Sequence, residues 1–304
     1  MFASAVALAL AAQQIVIPLG KKPRQIERPI HPIEEWGPQW AAACGDSTDW
    51  DQPAPPVRIH ANTYLVGTCG ISSILITGKD GHVLIDSGTE KGAELIADNV
   101  RQLGFKLRDV KYLLMSHEHL DHVGGMARLQ QLTGATLVTS APAENVLNTG
   151  VPGTEDPQSG MHKPFPAANV GRVIKDGEEV RLRDLSLTAI TTPGHTPGAL
   201  SWRWESCDGA VCRTMVYADS LSAVSRDDYK FSAHPDYLAA YRASIAKVAG
   251  TRCEILMTPH PSASAMRDRM TGKAPLFDPD GCKNYAAKLA KSLDDRLAKE
   301  AAPK

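Results

Sequence analysis

The chain has 304 residues, 43% of them hydrophobic, enough for a large core in one big domain or two fused halves. Its formal net charge is -1 and it carries no basic tract, so nothing in its composition implies a nucleic-acid partner. No run reaches the roughly 18 consecutive apolar residues needed to span a bilayer.

Taken in order, Phe2 to Ala12 is apolar and rich in small residues, with Ala-x-Ala endings at Ala9 and Ala11. Residues 1–12 therefore read as a secretory signal peptide, and export is expected. Residues 13–55 hold many prolines and Trp36, Trp40 and Trp50 without a sustained period, which predicts an extended arm lying on a single domain of residues 56–304. Val57 to Val66, Ser72 to Thr77 and His82 to Asp86 read as strands, and Glu90 to Leu103 has helical spacing closed by Gly104. Val110 to Met115 is a buried strand, followed by a helical segment through Leu132, a short strand near Thr136 to Thr139 and a brief helix over Pro142 to Leu147. Residues 150–170 crowd glycine and proline together and predict a flap beside the pocket, with His162 a solvated loop residue. Glu179 to Thr191 holds two more strands, Ala199 to Asp219 a hairpin, His234 to Val248 a helix, Glu254 to Met257 a strand, and Asn284 to Ala301 a final amphipathic helix. The repeated strand–strand–helix rhythm suggests two sheets between outer helices.

The six cysteines form no Cys-x-x-Cys pair, which points to disulfides and an oxidising compartment. Cys207 and Cys212 flank the hairpin signal Asp208-Gly209, so they face each other across a ribbon. Cys253 precedes a strand and Cys282 opens the last helix; Cys44 and Cys69 remain. The expected bridges are 44–69, 207–212 and 253–282.

The chemistry concentrates in Ser116-His117-Glu118-His119-Leu120-Asp121-His122, at the carboxyl end of a strand, where open α/β sheets place their ligands. His117 and His119, two apart, point the same way in extended backbone. Asp121 and His122 follow the bend and approach from another side. Two later histidines also stand at strand ends: His195 within Pro193-Gly194-His195-Thr196-Pro197-Gly198, and His260 after Thr258-Pro259. His117, His119 and His195 would form a three-nitrogen site with an open fourth position, the layout of a catalytic zinc. Asp121, His122 and His260 would form a second site. The absence of thiolate among them fits zinc, with iron or manganese as alternatives. Two such ions imply hydrolysis of a carbonyl or phosphoryl bond.

This ligand set, with His195 in its Pro-Gly-His-Thr-Pro-Gly turn, resembles the metallo-β-lactamase superfamily over roughly residues 57–265. The resemblance implies an α+β fold, the four-layer αβ/βα sandwich of two mixed sheets flanked by helices, and matches Asp86 to a buried aspartate behind the metal loop. The tracts Tyr217-Ala218-Asp219-Ser220-Leu221-Ser222-Ala223 and Thr258-Pro259-His260-Pro261-Ser262-Ala263-Ser264 are similar to those of subclass B3 metallo-β-lactamases. That likeness implies a periplasmic enzyme with two Zn2+ ions that hydrolyses the amide bond of small-molecule β-lactams by a metal-bound hydroxide; a monomer needs no further assumption. It implies that Asp121 is catalytic in holding and orienting the second zinc. Ser220 would sit beside that zinc without ligating it, and Ser222 would bond the substrate carboxylate. The alternative is a di-metal lactonase or thioesterase, similar to glyoxalase II, in which an aspartate bridges the metals. Asp219 lies one residue from that place, and on a strand a one-residue slip reverses the face.

Overall fold

A computed structural model describes residues 33–302. The expected signal segment lies outside the described residues, as does the beginning of the arm. The rest of the arm departs from expectation: Ile33–Cys44 forms helix α1 instead of extended chain. Gly37 explains the docking, since a Cβ there would lie 2.5 Å from the carbonyl oxygen of Met270. Trp40 is buried in the main core and Trp36 packs against it. Gly37 and Pro38, both poor helix formers, hide this helix from a propensity reading.

Two sheets follow, and the chain completes one before starting the other. The first holds β1 (Val57–His60), β2 (Thr63–Leu65), β3 (Ile74–Gly78), β4 (Gly81–Ile85), β5 (Val110–Leu114), β6 (Thr136–Thr139) and β7 (Val170–Val173), adjacent in chain order. Its first four strands pair antiparallel, and β4 to β7 pair parallel. The expected strand from Val57 to Val66 is a tight hairpin, broken at Ala61 with φ 42°. Strand β7 was not legible, because its residues are only half covered and lack alternation. The second sheet holds β8 (Glu179–Leu182), β9 (Leu185–Thr191), β10 (Leu200–Asp208), β11 (Val211–Tyr217) and β12 (Ile255–Met257), again in chain order. Only its last pair, β11 with β12, is parallel.

Helices α2 (Glu90–Gln102), α3 (Leu120–Val123), α4 (Met126–Thr133) and α5 (Ala141–Thr149) belong to the first half of the chain. Helices α6 (Pro235–Gly250), α7 (Met266–Met270) and α8 (Gly281–Ala301) belong to the second. Strand β11 shows how the layers are built. Met215 and Tyr217 enter the core shared with the first sheet, while Val216 joins Tyr241, Ile245, Tyr285 and Leu289 of α6 and α8 on the other side. That is the alternation of a strand covered on both faces. Ile96 and Val100 of α2 and Leu129 of α4 close the opposite layer. The result is the expected helix–sheet–sheet–helix sandwich of two mixed sheets. All six cysteines are paired as expected: Cys44–Cys69, Cys207–Cys212 and Cys253–Cys282.

Candidate metal centre

The strands of both sheets deliver their carboxyl ends to one place. Asp86, just past β4, has φ 62°, a left-handed conformation that aspartate tolerates better than most residues. Its carboxylate accepts the backbone N–H of Ser116 at 2.6 Å, the Ser116 hydroxyl at 2.7 Å and the Tyr217 hydroxyl at 2.8 Å. Asp86 thus ties the loop after β5 to the end of β11. Glu118, unnoticed in the sequence, does the same on the other side: it accepts the Thr196 hydroxyl at 2.6 Å and the Gly198 N–H at 2.8 Å. Alternation along extended chain turns Glu118 away from His117 and His119, a signal that could have revealed it. The framing glycines have steric reasons. A Cβ on Gly194 would meet the Tyr241 ring at 2.4 Å, and one on Gly198 would meet the Ala143 methyl at 2.6 Å.

All six predicted ligands come together. Ligand atoms of His117, His119 and His195 lie within 4.8 Å of one another, as do those of His117, Asp121 and His122. His260 joins the second group: its Nε2 is 3.4 Å from His122 Nε2 and 3.5 Å from Asp121 Oδ2, and the latter oxygen is 3.1 Å from His122 Nε2. His117 stands near both groups, but a neutral imidazole has one lone pair and serves one ion.

Each imidazole has one nitrogen tied to an oxygen behind it. His117 Nδ1–H donates to Asp219 Oδ1 at 2.8 Å, His119 Nε2–H to Asp156 Oδ2 at 2.8 Å, and His122 Nδ1–H to Asp86 Oδ2 at 3.2 Å. His195 Nδ1–H donates to the Ser222 carbonyl at 3.0 Å and His260 Nδ1–H to the Gly70 carbonyl at 3.1 Å. The other nitrogens converge. His117 Nε2 is buried with no hydrogen-bond partner among the described residues. Outer oxygens that fix the tautomer and turn the other nitrogen inward are the arrangement of imidazoles prepared for a metal. The residues present fit a divalent cation.

The electrostatics agree. Burial and the surrounding imidazoles hold His117 well below the ordinary histidine pKa. Burial, then neighbouring His119, brings His195 down to about 3. Burial opposes charge on His122 too, but Asp121 and Asp86 outweigh it and push its pKa up to about 10. The His122 charge in turn keeps Asp121 ionised against its own burial. His117 and His195 offer unprotonated nitrogens at neutral pH, and the second group offers a carboxylate beside a proton that a cation can displace.

Asp219 is committed to His117, and its second oxygen accepts the Leu221 N–H at 3.2 Å. The Ser220 hydroxyl is buried without a partner among the described residues. Ser222 turns its hydroxyl to within 3.0 Å of His195 Nδ1, beside its own carbonyl. His162 corrects the expectation of a solvated residue: its ring lies 4.9 Å from that of His119, and burial lowers its pKa. Asp156 and Gln158, both buried, were invisible in the sequence because the flap that carries them has no periodicity.

The sequence pattern of the metallo-beta-lactamase superfamily matches residues 66–260. The chain belongs to that superfamily. Among solved structures it is similar to MIM-2 metallo-beta-lactamase, with 54% identity, a TM-score of 0.84, and coverage of 88% of this chain and 98% of that one. It is also similar to MEM-A1, described as a subclass B3 metallo-beta-lactamase from a soil metagenome library, with 43% identity, a TM-score of 0.79, and coverage of 84% and 100%. A hydroxyacylglutathione hydrolase of Methylococcus capsulatus is 31% identical over 107 residues, covering 35% of this chain and 34% of the relative. The chain spans about a third of the length of such curated relatives. The superfamily's fold is the sandwich described above. No described helix is long and apolar enough to cross a membrane.

Proposed function

We propose that the chain is a zinc-dependent β-lactamase that hydrolyses the amide bond of β-lactam antibiotics. The observation that carries this reading is the convergence of a complete nitrogen and oxygen ligand set on one place. Asp219, the residue whose inward turn would have marked a lactonase or thioesterase, is hydrogen-bonded to His117 instead. His117, His119 and His195 would hold one zinc, and Asp121, His122 and His260 would hold the other. A zinc pair supplies a water acidic enough to attack at neutral pH and a charge that polarises the lactam carbonyl.

The chain's own residues orient and select. Asp156 and Asp219 keep His119 and His117 in the tautomers that present lone pairs. Asp121 holds its inner oxygen between His122 and His260, fixing the geometry of the second site. Ser220 and Ser222 stand on the loop after β11, where Ser222 would donate to the substrate's carboxylate and Ser220 would stand beside the second zinc without ligating it. The likeness to MIM-2 and MEM-A1 over nearly their whole lengths supports the activity. Three disulfides and the apolar first residues support export to the periplasm. The test is ring opening of a carbapenem followed by ultraviolet absorbance on zinc-loaded protein, repeated after chelation. Opening that stops with chelator and returns with zinc is expected. A protein that holds two zincs and opens no β-lactam, but cleaves a lactone or thioester, would overturn the assignment.

A further inference from the structure

The flap over the centre is held by a directed chain of hydrogen bonds. Asp156 accepts from His119 Nε2–H with one oxygen, and from the Gln158 backbone N–H at 2.8 Å with the other. The turn is therefore anchored to a metal-binding histidine through its backbone. The Gln158 side chain is oriented separately. Its Oε1 lies 3.1 Å from His162 Nε2, and its Nε2 lies 3.4 Å from His195 Nε2. An amide oxygen only accepts, so His162 Nε2–H is the donor. His195 gives its only proton, on Nδ1, to Ser222, so its Nε2 accepts from the Gln158 NH2 group. Each bond fixes the sense of the next, and only one orientation of the carboxamide satisfies both.

We infer that His162 is a positioning residue: its imidazole N–H locks the Gln158 carboxamide with the NH2 group aimed at the metal centre. The inference rests on the proposed β-lactamase reading for its substrate. When a cation takes the His195 Nε2 lone pair, the Gln158 NH2 group loses that acceptor and becomes a free donor at the edge of the centre. An oxygen of the bound β-lactam is the natural replacement acceptor. Without His162 the carboxamide has no acceptor-side partner and rotates between two orientations, one of which presents oxygen to an oxygen-rich substrate. The Trp50 ring, with its centroid 6.4 Å from that of His162, backs the imidazole from the arm side.

The test compares zinc-loaded wild type with His162→Leu, which keeps bulk and removes the donor, and with His162→Gln, whose amide N–H reaches a similar position. In His162→Leu the KM for a carbapenem should rise roughly tenfold, about the worth of one oriented hydrogen bond, with kcat within about twofold. Zinc content should be unchanged. His162→Gln should recover most of the loss. In a Gln158→Leu background, His162→Leu should have no further effect, the signature of a residue acting through its neighbour. The Gln158 side-chain NH2 signals in proton–nitrogen NMR spectra should be resolved in wild type and His162→Gln and broadened in His162→Leu. Unchanged KM and NH2 signals in His162→Leu, or additive losses in the double variant, would overturn the inference. A zinc-loaded wild type without β-lactamase activity would sink the proposed function, while the NH2 signals would still decide the anchoring.

Discussion

At the scale of single residues, the oxygens behind the imidazoles matter as much as the imidazoles. Asp219→Ala removes the acceptor of His117 Nδ1–H and should weaken zinc binding by roughly 10- to 100-fold, measured by competition with a chromophoric chelator. Asp219→Asn keeps an acceptor oxygen there and should lose much less. Equal losses would mean that the carboxylate charge, not the tautomer, is what matters. Glu118 acts differently, since it touches no ligand nitrogen and instead joins the two ligand-bearing loops. Glu118→Ala strands two buried donors, and a melting experiment should show a loss of about 2–6 kcal/mol, roughly 1–3 for each. The histidines and Asp121 were legible because spacing and turn residues mark them. Asp156 and Gln158 were not, because their contacts to His119 and His195 each cross 37 residues and leave no local pattern.

Among the elements, the strands and long helices could be read from alternation and helical spacing, whereas α1 and α7 depend on each other. The Met270 backbone can come this close only because residue 37 is glycine. Helix α8 is held at its far end by a contact that reports on pH. Burial alone would raise the Glu300 pKa, but N–H groups of Ser232 and Phe231 and the Arg296 guanidinium donate to its carboxylate and bring it below the usual glutamate value. A lowered folded-state pKa means stability that is present above the unfolded value of about 4.3 and is lost as pH falls through the folded one. Glu300→Gln should therefore melt lower than wild type at neutral pH, and the two should converge in acid. A constant gap across that range would count against the linkage.

For the whole molecule, zinc loading should depend on pH unequally at the two sites. His122, with a pKa of about 10, must give up its proton to a cation, whereas His195, at about 3, has none to lose near neutrality. Lowering pH from 8 to 6 should weaken the Asp121–His122–His260 site more than the other. Calorimetry in buffers of different ionisation enthalpy should show about one proton released by the ion that binds there. Equal proton release at both sites would refute this. The bridges matter at the same scale: Cys253 and Cys282 join positions 29 apart in sequence, and replacing both with serine should cost about 2–4 kcal/mol in thermal or denaturant unfolding.

The first sheet is complete at Val173 and the second begins at Glu179, so the turn between them divides the chain into two halves that share no strand. His117, His119, Asp121 and His122 lie before that turn, and His195 and His260 lie after it. Neither half can fill either site alone. A cation bound there would therefore be a keystone between the two halves. A backbone nick at Lys175-Asp176-Gly177-Glu178 should leave fragments that find each other more tightly with zinc than without it.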